Sequence, residues 1–400
     1  MKKILTGMLL LALLLSGFSG CAKKSVEAAA VPPERVQIGV VLIDAEDAAA
    51  SEAQRAGLEQ ALESLGMQDT QVVWRFDAGE EQELLEALQD CVDAGCNLIF
   101  TNPHTGRQNA VEQAAQRNPG AEFVAVGGDT AKTFGLANLH NASPQLFEAQ
   151  YVAGIAAGLK LQELAENGDL DGGNAEEGAA RLGYVAAFPN AEAISAYTAY
   201  FLGARSVCEE LTMTVRYLNA WQSDTAEYEA ANALLDAGCI VIGCGTTASG
   251  VAAACSERRE DGTDAFCATD LNAAQAQWSV LYAELIDAFR TGKTLPVDWS
   301  AGFDREAVAL TQTGDAAAVG TADAQKTAIE GLKDGSLHVF ATDTFTVDGK
   351  AVTSAFATDT DGDLIPDQDE AIYDGAFHEC VFRSAPYFAL HIDGITEAFD

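Results

Sequence analysis

Residues 146–161 read LFEAQYVAGIAAGLKL, in which Glu148, Gln150 and Lys160 alone carry a full charge or an amide. Phe147, Tyr151, Gly154 and Gly158 recur at helical spacing, which predicts a helix with almost no polar face. A helix apolar nearly all round is buried rather than amphipathic. The run is also shorter than the ~20 residues that cross a bilayer. Gly154 and Gly158 stand four apart and leave room for another element to approach closely. Such a helix belongs inside a large α/β domain. Past it lie an acidic, glycine-rich, exposed loop at 166–179 and a strand at 181–188 (RLGYVAAF). Together they mark the entry into a second lobe.

On either side of this stretch, strands and helices alternate. Residues 36–43 (VQIGVVLI) form a continuous apolar run, suited to a strand buried on both faces. The pattern then predicts a helix at 50–65, a strand at 71–76, a helix at 80–93, a strand at 97–101, a helix at 106–117 and a strand at 122–126. The last ends at Gly127-Gly128-Asp129. After 181–188 come a helix at 191–205, a strand at 212–218, a helix at 225–237, a strand at 239–243 and a helix at 249–257. A strand at 265–269 then ends at Asp270, and a long helix at 276–291 carries Trp278 and Tyr282. This rhythm implies an α/β chain with parallel, doubly wound sheets in two similar halves, not a short-period solenoid.

The first residues are not fold. Lys2 and Lys3 precede an apolar run at 4–15, and Ser19-Gly20-Cys21 closes it with small residues. This resembles a bacterial lipoprotein signal with Phe18 where Leu is usual, so 1–20 is expected to be a signal peptide and Cys21 the lipidated residue. An ordinary secretory signal is the alternative. Residues 21–34 lack periodicity, contain Pro32-Pro33 and read as a tether. No second apolar run is long enough for a transmembrane span.

The chain has 23 Lys and Arg against 60 Asp and Glu, a net charge of −37 that becomes −39 without Lys2 and Lys3. Such a protein repels phosphate backbones and anionic lipid, so a nucleic-acid partner is excluded and membrane attachment must come from the lipid. Eight cysteines follow Cys21. Disulfides are permitted in an exported chain, but Cys91, Cys239 and Cys267 sit in apolar runs and read equally well as buried small residues. No tight CxxC pair suggests zinc.

The signatures GxxxxGK[ST], GxSxG and HExxH are absent, and the five histidines are scattered. Catalysis is therefore not expected. A cleft is, because ligands of parallel α/β sheets bind outside the carboxyl ends of the strands. The candidates there are Asp44, Asp47, Asn102, His104, Asp129, Phe188, Trp221, Thr246 and Asp270, with Trp278 opening the long helix. Aromatics offer stacking surfaces, and carboxylates accept paired hydrogen bonds from hydroxyls or ring N–H groups. Singly, Trp221 could be core, and Asp44 or Asp270 a helix cap.

The segments FEAQYVAGIAAGLK (147–160), ARLGYVAAFPNAEAISAYTAYFLGARSV (180–207), NAWQSDTAEYEAANALLDAGCIVI (219–242), QWSVLYAELIDAFRTGK (277–293), WSAGFDREAVALT (299–311), LKDGSLHVF (332–340) and DGAFHECVFRSAPYFALHIDGI (374–395) carry a resemblance. They resemble the basic membrane protein (BMP) family, lipoprotein solute-binding proteins of ABC transporters that include purine-nucleoside receptors. The resemblance implies a two-lobed periplasmic-binding-protein type I fold, each lobe a parallel sheet flanked by helices. The lobes would occupy 35–142, completed by about 273–300, and 143–272, completed by part of 301–350. Hinges are implied at 140–143, at 270–272 and after Trp299. A nucleoside or purine-like ligand and a permease partner are implied too, with the protein extracytoplasmic and anchored through Cys21. The family often places Asp-Lys-Ser-Phe-Asn-Gln after the first strand, with the Phe against the base. Here the run begins at Asp47 and has Ala50 at the Phe position, a wall that His104 could rebuild. Some relatives carry Lys in the long helix where Trp278 stands. Asp270 matches the family's ribose-bonding Asp.

The tail, 351–400, contains Asp359, Asp361, Asp363, Asp367 and Glu370 at loop positions 1, 3, 5, 9 and 12. That is calcium-loop spacing, with Leu364 where glycine is usual. No cofactor is required by this reading, and a Ca2+ ion in the tail is expected. Two rival functions remain: a calcium-binding surface or adhesion module, and a nucleoside-cleaving enzyme.

Overall fold

A computed structural model of the chain describes residues 31–32, 35–68, 71–103, 106–170, 173, 175–176, 178–221, 223–246, 249–357, 359, 365 and 367–398. Cys21, His104, Asp361 and Asp363 lie outside the described residues.

The first half runs β1 (Ile38–Val41), α1 (Ala49–Leu65), β2 (Val72–Arg75), α2 (Glu81–Asp93), β3 (Leu98–Thr101), α3 (Gln108–Arg117), β4 (Glu122–Val126), α4 (Ala131–Phe134) and β5 (Leu139–Pro144). The second runs α5 (Leu146–Asn167), β6 (Ala175–Glu176), β7 (Ala179–Ala186), α6 (Ala191–Arg205), β8 (Leu211–Tyr217), α7 (Asp224–Asp236), β9 (Val241–Cys244), α8 (Gly250–Glu260), β10 (Phe266–Cys267) and α9 (Ala268–Leu271). There follow β11 (Ala274–Ala276), α10 (Trp278–Arg290), β12 (Asp298–Ala301), β13 (Val308–Leu310) and α11 (Thr321–Asp334). The remainder holds two short hairpins, β14 (Thr346–Val347) with β15 (Lys350–Ala351) and β16 (Ile372–Tyr373) with β17 (Ala376–Phe377), and then β18 (Ile395–Ala398).

Two sheets result. The first has the order β12-β5-β4-β3-β1-β2 and is parallel throughout. Strands β1, β3 and β4 are apolar at nearly every position because helices cover both faces, and one buried cluster forms on each side. The second has the order β10-β9-β7-β8-β18, also parallel, with β6 antiparallel on β7. The chain passes between the lobes at 144–146, through the antiparallel pair β11–β13, and after β12. Each lobe is thus a parallel sheet between helix layers, the periplasmic-binding-protein type I architecture. The implied crossing at 140–143 falls inside β5, whose hydrogen bonds to β4 and β12 hold it in the sheet.

The buried helix is α5, which continues to Asn167. Its glycines are where α6 lies. A Cβ on Gly154 would stand 2.0 Å from the Tyr200 carbonyl oxygen, and one on Gly158 would stand 2.2 Å from that of Ala204. Reciprocally, a Cβ on Gly203 would meet the Tyr151 carbonyl oxygen at 1.9 Å. The two helices touch backbone to backbone, so no side chain larger than hydrogen fits at these positions. The expected strand at 265–269 is shorter. β10 stops at Cys267 and a helical turn takes over, because the Asp270 carboxylate accepts the Cys267 N–H at 2.9 Å and caps that turn. All eight cysteines after Cys21 are free thiols; Cys91, Cys96, Cys239, Cys255 and Cys267 are buried.

Candidate ligand-binding cleft

A cavity of about 310 Å³ lies between the carboxyl ends of the two sheets, within the ~300–1,000 Å³ range of small-molecule sites. From the first lobe, Asp44 beyond β1, Gln54 on α1 and Asn102 after β3 reach it. The Asn102 amide is fixed at both ends: Oδ1 accepts the Ile43 N–H at 3.0 Å and Nδ2 donates to Asp44 Oδ2 at 3.2 Å. Asp44 is thereby aimed, with Oδ1 bonded to no described protein donor. Gln54 accepts from Tyr282 Oη at 3.0 Å, which orients its NH₂. Trp278 opens α10 against α1, where a Cβ on Gly57 would meet the Trp278 Cβ at 2.3 Å. That close seat fixes the indole at the cavity wall.

From the second lobe come Phe147 and Gln150 on α5, Tyr184 on β7, Glu192 and Ser195 on α6, Trp221 and Thr246. Gln150 is buried and makes no side-chain hydrogen bond among the described residues. The Tyr184 hydroxyl is buried without a partner, so a group brought into the cavity could satisfy it. Trp221 meets Phe188 edge to face at 4.7 Å, which turns its other surface outward. Thr246 Oγ1 donates to Glu227 and Ser195 Oγ to Glu379 Oε2. Glu192 keeps its surface toward the cavity, yet the protein mass around it raises its carboxyl above the ordinary range by desolvation. No Lys, Arg or His lines the cavity among the described residues, while Asp44 and Glu192 do.

Of the residues expected at the cleft, Asp44, Asn102, Trp221, Thr246 and Trp278 line it, and Phe188 supports Trp221 from behind. Asp47 is exposed and outside it. Asp129 is turned to Gln108 and Arg383. Asp270 is held away from the cavity by Arg259, which donates to both carboxylate oxygens at 2.7 and 3.0 Å. The wall left open by Ala50 has Ala50 itself, Gln54 and Trp278 around it. Gln54, Gln150, Tyr184, Glu192, Ser195 and Pro386 were not expected. Gln150 alone carried a signal, as an isolated amide in an apolar helix.

In the tail, the Glu370 carboxylate accepts Ser354 Oγ at 2.6 Å and the N–H groups of Ala355 and Ile372 at 2.9 and 3.1 Å. These bonds hold its carboxyl below the usual range. Among the described residues no group of three or more His, Cys, Asp or Glu has metal-binding geometry. No helix among them is long and apolar enough to cross a membrane.

The fold is thus the two-lobed type I architecture, and its cleft joins aromatics to amides and carboxylates. The chain belongs to the Bmp family, ABC transporter substrate-binding protein PnrA-like, whose family model matches residues 46–275. It is 25% identical over 186 residues to a purine-binding protein of Brucella abortus, covering 46% of each chain. It is 40% identical over 105 residues to TsgA13 of Haloferax volcanii, named as an ABC transporter glucose-binding protein, covering 26% of this chain and 23% of that one. The matches thus span less than half the length of either relative. Among solved structures, an ABC transporter solute-binding protein of Aeropyrum pernix aligns with a TM-score of 0.60 at 15% identity, over 76% of this chain and 93% of that one. One from Conexibacter woesei aligns with a TM-score of 0.55 at 17% identity, over 76% and 98%. These two likenesses concern the fold.

Proposed function

We propose that this protein is the extracytoplasmic receptor of an ABC importer, closing its lobes on a nucleoside or purine-like compound and presenting it to a permease. The observation that carries the reading is the cavity lining: two indoles, an aimed Asp44 and the amides of Gln54 and Gln150, with no described cation. Flat rings stack on indoles, and a carboxylate accepts two hydrogen bonds from vicinal hydroxyls or ring N–H groups. A phosphorylated ligand is disfavoured, since Asp44 and Glu192 would repel it and no described lining residue would neutralise it. Hinge closure suffices as mechanism, and no covalent step is required. The relative named as purine-binding supports this ligand class. The relative named as glucose-binding supports a second reading, a neutral hexose, which the same carboxylate and indoles would also suit. Attachment to the membrane would come from a lipid on Cys21, so Cys21→Ser should release the protein into the soluble fraction.

A thermal-shift panel of nucleosides, purine bases, hexoses, amino acids and vitamins tests the ligand. A ligand at 100 times its Kd stabilises by about 2.7 kcal/mol, a readily visible shift. Nucleosides shifting the melting temperature, with loss of the shift in Trp278→Ala, is the expected result. A shift with hexoses alone would replace the nucleoside reading with the sugar one, and nucleoside breakdown seen by chromatography would make the protein an enzyme.

A further inference from the structure

The segment 379–388 lies outside residues 46–275, the span the family model matches, and its contacts run to both lobes. Glu379, buried, accepts the N–H of Tyr387 at 2.6 Å and of Phe388 at 2.9 Å, and the hydroxyl of the cleft residue Ser195 at 2.8 Å. Phe388 is fully buried and stacks on Phe340 at 4.2 Å. These contacts root the segment in the second lobe. From that root it reaches the first. Arg383, its side chain only 7% exposed, directs Nη1 to Asp129 Oδ2 at 3.4 Å. Ser384 donates its N–H at 3.0 Å and its hydroxyl at 3.2 Å to Asp298 Oδ1, at the start of β12. Between the two anchors, Pro386 lines the cavity.

We propose that this segment is a working part of the binding site. Arg383 is a positioning residue that holds the lobes together through Asp129, and Pro386 is a wall against which the ligand is selected. The ligand half of this inference rests on the receptor reading above.

Arg383 shapes its neighbour directly. Its Nε and Nη2 donate to the carbonyls of Ala385 and Pro386 at 3.2 and 3.0 Å, and Nη1 also reaches the Asp359 carbonyl. The guanidinium therefore fixes the turn that places the Pro386 ring, and it does so without lining the cavity itself. Asp129 is equally prepared: Gln108 Nε2 holds Oδ1, and the Asp129 N–H donates to Gln108 Oε1 at 2.9 Å. Its loop follows β4, whose end at Val126 and Gly127 forms part of the same cavity. A buried guanidinium is costly without a carboxylate. In this protein that carboxylate belongs to the other lobe, so separating the lobes costs more than lost contact area. A ligand bridging the cleft and the Arg383–Asp129 pair thus favour the same closed arrangement and reinforce one another.

The test has a ligand-free arm and a ligand arm. Small-angle scattering of the ligand-free protein should show Arg383→Met and Asp129→Asn each more open than wild type, with the double variant no more open than either. Arg383→Lys, which keeps the charge, should lie between. In calorimetry with adenosine and with D-glucose, Arg383→Met should weaken whichever probe the wild type binds by roughly 30-fold, the lower end of the range for truncating one member of a buried pair. Pro386→Ala should change the ratio of the two affinities. Unchanged scattering with unchanged affinity, or scattering changes that add in the double variant, would overturn the proposal. If the wild type binds neither probe, the ligand assignment fails, and scattering still decides whether Arg383 holds the lobes.

Discussion

Arg259 grips both carboxylate oxygens of Asp270, and the same carboxylate caps the Cys267 N–H. The residue is structural. Asp270→Ala should lower the stability by about 1–2 kcal/mol, the cost of a helix cap and a partly exposed ion pair. Ligand affinity should stay at the wild-type value. Parallel melting and calorimetry decide the matter, and a large affinity loss with normal melting would return Asp270 to the ligand.

The contact between α5 and α6 leaves no room for a methyl group. Gly154→Ala and Gly203→Ala each place a Cβ about 2 Å from a carbonyl oxygen of the facing helix. Overpacking of this kind costs about 1–3 kcal/mol when neighbours can give way, and here the neighbour is backbone. Denaturant midpoints should fall by at least that equivalent. Gly168→Ala, at a left-handed position with open space around it, should cost only backbone strain.

Glu148 accepts the Phe303 N–H at 2.8 Å where the chain leaves β12. Burial raises its carboxyl from the ordinary 4.5 up to about 7, against the opposing pull of that N–H. Between those values the folded protein keeps a proton that the unfolded chain has released. The stabilisation is therefore full below about pH 4.5 and is lost as pH rises through about 7. Glu148→Gln should flatten this decline when melting temperature is followed from about pH 5 to 8. An unchanged slope would mean that other groups set it.

Calcium in the tail remains our proposal. Glu370, held by Ser354, Ala355 and Ile372, is a carboxylate already oriented, as metal ligands usually are. Calcium should raise the melting temperature, and Asp361→Ala with Asp363→Ala should abolish the rise. Equal melting in calcium and in chelator would sink the calcium reading.

Much of the architecture could be read from the chain. The helix at 191–205 and the strand at 122–126 fall where apolar periodicity predicts, because both are buried along their length. Strand ends pointed to Asp44, Asn102 and Trp221 because a parallel sheet directs its carboxyl ends to one side. What stayed hidden depends on neighbours. Asp270 looks like a ligand residue until Arg259, on the preceding helix, is seen to hold it. Tyr184 sits in an ordinary apolar strand, and only packing shows that its hydroxyl has no partner. Pro386 lies far along the chain from the strands whose cleft it lines. β5 and β12 were missed because polar residues such as His140, Asn141 and Asp298 interrupt them. Each has a specific partner: His140 bonds Pro296 O and Glu122, and Asn141 bonds Asp298.

β18 pairs in parallel with β8, Ile395 opposite Met213, and closes one side of the second sheet. Its Glu397 also accepts from Tyr197 and Tyr217 at 2.8 and 3.0 Å. A strand so distant in sequence from its partner makes contact order high and assembly slow. During synthesis the second lobe must wait, its sheet one strand short, until residues 395–398 have emerged. A chain broken off before them exposes the edge of β8, an invitation to aggregation and to proteolysis. The order of synthesis is thus built into the topology: the first sheet waits only for β12, and the second cannot finish until β18 has been made.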